Sequence, residues 1–125
     1  MVRKIILIDD DADEHDIFKA ALAQANLAVE CISLTRSNDA IKLLETTVPD
    51  YIFVDYNMPA VNGIECIKEI KKNKAMAHVP VVIFSTTIND AIEQKAKAFG
   101  AVACIKKTDT VDKLSNLLEK LLVGI

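Results

Sequence analysis

The 125-residue chain has no tryptophan and only three glycines, three prolines and three cysteines. So few glycines and prolines leave little room for long irregular loops. The lack of tryptophan and of a glycine-rich phosphate loop weighs against a flavin-type cofactor binder. Cys31, Cys66 and Cys104 are odd in number, widely spaced and set in apolar segments, with no C-x-x-C pair. That pattern disfavours a cysteine-based metal site and reads as reduced core or near-core thiols of a cytosolic protein. No apolar run approaches the ~20 residues that span a bilayer. The opening Met-Val-Arg-Lys leads into only four apolar residues before a run of aspartates, so no signal peptide is expected. A net charge of −3 lacks the basic excess of a nucleic-acid surface.

What the chain does have is apolar content, 51% of its residues, enough for one core. Strand-like and helix-like patterns alternate five times. Lys4–Ile8, Val29–Leu34, Tyr51–Val54, Val81–Phe84 and Ala101–Ile105 are short, mostly apolar runs of the buried-strand type. Between and after them lie amphipathic helices. These are expected over Ala12–Ala25, from an N-cap at Ser37, from about Ile64 to Lys72, over Thr87–Phe99 ended by Gly100, and after a cap at Thr110. Strands apolar on both faces, each followed by a helix, predict a parallel sheet covered on both sides. The expected fold is a three-layer, doubly wound α/β structure, (βα)5 and flavodoxin-like. Its five-stranded sheet takes the order 2-1-3-4-5, with the topological switch between strands 1 and 3. Residues 1–125 read as one domain, with no output domain in view.

Ligands of such sheets bind beyond the carboxyl ends of the strands. There the sequence puts Asp9 and Asp10 after strand 1, Asp55 after strand 3, Ser85 and Thr86 after strand 4, and Lys106-Lys107 after strand 5. Carboxylates crowded in a partly desolvated pocket raise one another's pKa and weaken the fold. A divalent cation relieves that repulsion, and magnesium suits an all-oxygen site that keeps waters. The same parts suit phosphoryl transfer. A carboxylate serves as nucleophile, while cation, ammonium and hydroxyl neutralise the phosphoryl oxygens.

The segments "ILIDDD" (Ile6–Asp11), "IFVDYNMPAVNG" (Ile52–Gly63), "PVVIFST" (Pro80–Thr86) and "CIKK" (Cys104–Lys107) resemble, in order and spacing, the receiver domain of two-component response regulators. The resemblance covers essentially the whole chain and is closest to stand-alone, chemotaxis-type regulators. It implies Asp55 as phosphoacceptor. It implies magnesium held by Asp10, Asp55 and the backbone carbonyl of Asn57, with Asp9 acting through a metal-bound water. Ser85 matches the switch hydroxyl, Lys107 pairs with a phosphoryl oxygen, and the backbone N–H groups near Tyr56, Asn57 and Thr86 complete the cradle. Met58-Pro59 and Gly63 shape the loop after the acceptor, and Asp11 belongs to the helix. Thr87, with Asn57, borders the pocket where water attacks the acyl phosphate. The implied partners are a sensor histidine kinase or phosphotransfer protein and a downstream protein target, in the cytoplasm, with neither nucleic acid nor membrane.

Two positions depart from the family pattern. Thr108 stands where receivers carry a proline after a cis bond, so a trans Lys107–Thr108 bond is expected. Cys104 stands where they carry a switch aromatic, which removes a tyrosine-based switch from the face formed by the fifth strand and the last two helices. Rival readings are a pseudo-receiver that is never phosphorylated and an aspartyl-nucleophile phosphatase of haloacid-dehalogenase type, with its nucleophile after strand 1. His15 and His78 read as solvated residues and Lys68–Lys74 as a solvated helix face. The leucines of the last helix are expected mostly to pack on the sheet, with Leu118, Leu122 and Val123 as candidates for a homodimer contact.

Overall fold

The computed structural model describes residues 4–108 and 110–122. Five strands, β1 (Lys4–Ile8), β2 (Glu30–Leu34), β3 (Tyr51–Val54), β4 (Val81–Ser85) and β5 (Ala101–Lys106), alternate with five helices. The helices are α1 (Ala12–Gln24), α2 (Ser37–Leu43), α3 (Gly63–Lys72), α4 (Asp90–Ala98) and α5 (Val111–Leu122). All strand pairs are parallel, in the order β2-β1-β3-β4-β5. The expected three-layer, doubly wound fold is the one observed.

Successive strand residues point to opposite faces, and each face has its own core. Ile6, Ile8, Ile52, Val54, Val81 and Ile83 pack on the side of α2, α3 and α4. Ile5, Leu7, Tyr51, Phe53, Val82 and Phe84 pack with Phe18 of α1 and Leu114 and Leu118 of α5. Phe18 stands edge-on to Phe53 and Phe84, with centroids 5.0 and 5.7 Å away. Each fully buried side chain of this kind contributes about 1.5–3 kcal/mol, so β1, β3 and β4 hold the sheet's centre rigid. The pairing of β4 with β5 shifts register after Val81↔Ala101, so Val82 pairs with Ala103. The irregularity leaves Val102 exposed and puts Ala103 and Ile105 on the α1/α5 face.

Several element ends differ from the sequence reading. Ser37 is not an N-cap: Arg36 takes that position without a side-chain cap bond. The Ser37 hydroxyl points inward and donates to Cys66 Sγ at 3.1 Å. Helix α4 begins at Asp90, because Asn89 caps it by accepting from the Ile92 N–H. Residues 86–88 stay in the loop. Asp11, expected to open α1, is its N-cap and accepts from the Asp13 N–H. Thr110 Oγ1 accepts from the Lys113 N–H, as a cap does. Leu118 and Leu122 are buried in the chain's own core, as expected of the last helix's leucines, which leaves them no part in a homodimer contact. Val123 lies outside the described residues. Lys71 is half-buried rather than solvated and donates to the carbonyls of Met76 and Val79.

Gly63, at the start of α3, touches the backbone that follows β3. A Cβ there would sit 2.8 Å from the Asp55 carbonyl oxygen and 2.9 Å from Tyr56 Cα. The Gly63 N–H also bonds the Tyr56 carbonyl at 2.9 Å. Gly63→Ala should therefore lower the unfolding free energy by about 1–3 kcal/mol, the usual range for overpacking. Urea titration reads this directly, and an unchanged midpoint would contradict the close approach.

Candidate functional site

Asp9 continues β1 by one residue, Asp55 continues β3 by one, and Lys107 continues β5 by one. By alternation all three belong to the α1/α5 face, the side of Leu7, Phe53 and Ile105. Asp9 is fully buried and Asp55 is 5% exposed. Lys107 bridges them, its Nζ standing 2.7 Å from Asp9 Oδ2 and 3.6 Å from Asp55 Oδ2. On the way the lysine stem passes the Phe84 ring, with Nζ 5.5 Å from its centroid. Asp10 faces solvent, at one end of a cleft of about 350 Å³ that runs to Met58 and Pro59. Carboxylate oxygens of Asp9, Asp10 and Asp55 all lie within 4.8 Å of one another.

The other expected groups approach from the opposite face. Ser85, fully buried, ends β4 on the side of Val81 and Ile83. The Asn57 N–H donates to Asp55 Oδ1 at 3.3 Å. Asn57 Nδ2 donates to Ser85 Oγ at 3.4 Å and to Thr87 Oγ1 at 3.2 Å. Thr87 thus lies beside Asn57 and Ser85. Thr86 is exposed and makes no hydrogen bond to Asp55. No cis peptide bond occurs among the described residues, so Lys107–Thr108 is trans as expected. The Lys107 N–H instead bonds the Ser85 carbonyl at 2.8 Å, which ties the end of β5 to the end of β4.

Electrostatics follow from burial. Desolvation raises the Asp55 pKa, and the charge of Asp9 raises it further. Lys107 and hydrogen bonds from Asn57 and Ser85 offset part of this. Burial pulls the Lys107 pKa down, but the hydrogen bond to Asp9 and the charges of Asp9, Asp55 and Glu14 outweigh it and leave it raised. Glu14, half-buried on α1, is also raised, by burial first and then by Asp9, Asp11 and Asp55 against the pull of Lys107. Chemically, this is a desolvated carboxylate flanked by an ammonium, a hydroxyl and two further carboxylates. The donor set is all oxygen, and its spread matches what one cation with ligands at about 2.0–2.6 Å can bridge.

Sequence reasoning missed two residues. His15, expected to be solvated, is 5% exposed, and its Nε2 donates to the Asp9 carbonyl at 2.7 Å. The i, i+3, i+7 spacing of His15, Phe18 and Leu22 carried that signal. Glu14 is the other. His78 is exposed as expected. The three cysteines are unpaired, Cys66 buried and the others half-buried. Burial pushes Cys31 up to about 11, which keeps that thiol protonated and unreactive.

Residues 5–119 match the sequence profile of the response regulator receiver domain. The chain is similar to the DNA-binding transcriptional regulator NtrC of Salmonella typhimurium, 28% identical over 123 residues. That match covers 96% of this chain and 25% of NtrC, and the chain spans about half or less of several other curated relatives. Among solved structures, it is similar to a response regulator protein from Burkholderia multivorans, at 30% identity and TM-score 0.72, covering 100% of this chain and 98% of that one. It shares the fold of the phosphorylated cyanobacterial phytochrome response regulator RcpA, at 24% identity and TM-score 0.85, over 97% of this chain and 91% of that one. The strand order, the acidic pocket at the strand ends and the profile match agree, and the chain belongs to the response regulator receiver domain family.

Proposed function

We propose that the chain is a phosphoacceptor regulator that takes a phosphoryl group onto Asp55. The donor is the phosphohistidine of a sensor histidine kinase or phosphotransfer protein, and the product switches binding to a downstream protein in the cytoplasm. One observation carries this reading: the buried Asp55 carboxylate, with Lys107 at 3.6 Å and the Asp9 and Asp10 oxygens within 4.8 Å. In the transfer, an ionised Asp55 oxygen attacks phosphorus. The histidine N–P bond breaks, and the leaving imidazole keeps the electron pair and takes up a proton. The Lys107 ammonium pairs with a phosphoryl oxygen, and the Ser85 hydroxyl donates to another. Water later cleaves the acyl phosphate, with Asn57 and Thr87 at the edge of its approach. The chain reacts with itself and turns over no external substrate.

The oxygen donor set fits Mg2+. Asp10, Asp55 and the Asn57 carbonyl would hold it directly, and Asp9 through a water. The ion would supply charge neutralisation for the carboxylates and the incoming phosphoryl group. The phosphatase alternative is not favoured, because residues 5–119 match the receiver domain profile.

Incubation with acetyl phosphate and magnesium should add one phosphoryl group by intact mass, and Asp55→Ala should add none. Uptake that survives in Asp55→Asn but fails in Asp9→Asn would reverse the assignment. A second expectation concerns stability without divalent cations. The folded Asp55 pKa is raised, so its stabilising share is full below the unfolded value and is lost as pH rises through the folded one. Asp55→Asn removes that loss. Thermal midpoints from about pH 4 to 8, spanning the carboxylate range, should favour the variant increasingly toward neutral pH. Added magnesium should raise the midpoint of the unmodified chain more than that of the variant. Identical pH profiles would contradict the repulsion.

A further inference from the structure

The aim of Asp10 needs explaining. Its carboxylate is exposed, and no described residue hydrogen-bonds it. Its direction is therefore set by its backbone, in the turn between β1 and α1. That turn is pinned from inside the helix. The carbonyl of Asp9, the first half of the Asp9–Asp10 peptide, accepts from His15 Nε2 at 2.7 Å.

A carbonyl only accepts, so Nε2 carries the hydrogen of this bond. Nδ1 is buried and has no partner. An unmatched nitrogen in the interior is unfavourable, and an apolar side chain would fill this place, beside the buried Phe18, without it. Packing alone thus does not explain a histidine here, whereas the bond to the Asp9 carbonyl does. The remaining polar groups of Asp9 are held independently. Its N–H bonds the Leu34 carbonyl at 3.0 Å, Oδ1 accepts from the Asp11 N–H at 3.0 Å, and Oδ2 accepts from Lys107 at 2.7 Å. Losing His15 would leave the Asp9 side chain and the Asp11 N–H anchored to each other and free the peptide between them that leads into Asp10.

We propose that His15 is a positioning residue: by clamping the Asp9–Asp10 peptide it aims the Asp10 carboxylate at the magnesium ion. This rests on the reading of Asp10 as a magnesium ligand. The Asp55–Lys107 arrangement does not depend on His15, so its loss falls on cation affinity and not on the limiting rate of phosphoryl uptake.

The test is a magnesium titration of the full chain followed by amide NMR shifts, with urea stability measured in parallel. His15→Gln places a donor near the Nε2 position, and His15→Asn is one methylene too short to reach. His15→Met removes the donor and the unmatched nitrogen together. His15→Asn and His15→Met should bind magnesium about tenfold more weakly, the usual effect of losing a partner behind a metal ligand. His15→Gln should keep the affinity of the unmodified chain, and His15→Met should be no less stable to urea. With acetyl phosphate, the magnesium concentration for half-maximal rate should rise in His15→Met while the rate at saturating magnesium stays unchanged. Native affinity in a folded His15→Met, or equal loss in His15→Gln, would overturn the proposal alone. No magnesium binding by the unmodified chain, or none lost in Asp10→Asn, would overturn the metal reading and this proposal with it.

Discussion

The bond between the Lys107 ammonium and the Asp9 carboxylate governs this structure. It joins residues 98 positions apart at 2.7 Å, with side-chain exposures of 8% and 0%. A carboxylate so enclosed is tolerable only when paired, since an uncompensated buried charge typically costs about 3–5 kcal/mol. The same ammonium reaches toward Asp55, so one cation sets the electrostatics of both. Its own charge is secured in return: the acids around it outweigh the desolvation that would otherwise depress its pKa. The pair also closes the fold. Through it the last strand, at one edge, is tied to the end of the interior first strand, across the ends of the two strands between them.

That contact depends on side-chain parity. Asp9, Asp55 and Lys107 meet because each stands one residue past its strand on the α1/α5 face. On β1 and β3 parity follows directly from odd-numbered Leu7 and Phe53. On β4 the same face takes even-numbered Val82 and Phe84, so β5 had to be shifted to present Ile105 and then Lys107. The irregularity after Val81↔Ala101 is that shift. A regular pairing would turn Lys107 toward α3 and α4, away from both carboxylates, because a one-residue slip reverses every side chain. Ser85, of opposite parity to Phe84, enters from the other face. Asp55 is thereby approached from both sides of the sheet, by an ammonium and by a hydroxyl.

The alternation of apolar runs and amphipathic helices made the strand order legible, because strands as continuous as Val81–Phe84 have no place at a solvated face. The polar residues that end those runs marked Asp9, Asp10, Asp55, Ser85 and Lys107. What stayed hidden was decided by tertiary packing. Ser37 has the chemistry of a cap, yet the buried Cys66 sulfur opposite it draws the hydroxyl inward. Thr87 looked like the start of a helix, but the Asn57 amide and the Ser85 hydroxyl hold residue 87 in the loop, and Asn89 caps instead. His15 was hidden by its acidic neighbours Asp13, Glu14 and Asp16. The helical period, not local polarity, decides which way its ring faces. The register shift in β5 leaves no mark in composition at all.

The charge balance of the site bears on the order of events under the proposed function. Three carboxylates face one ammonium, a deficit of positive charge that Glu14 deepens. The fold tolerates this because the excess is not all enclosed: Asp10 stays in water while Asp9 is neutralised by Lys107. An incoming phosphoryl group adds negative charge to a site already short of cations, so its approach to Asp55 is opposed until a dication makes up the deficit. Such a cation also shifts Asp55 toward its ionised, nucleophilic form, since the repulsion that raises its pKa falls as the ion binds. Under the proposed function, cation and phosphoryl group would therefore favour each other's binding. This coupling would, under the proposed function, begin at Asp10, the exposed carboxylate that a hydrated ion can meet without entering the core.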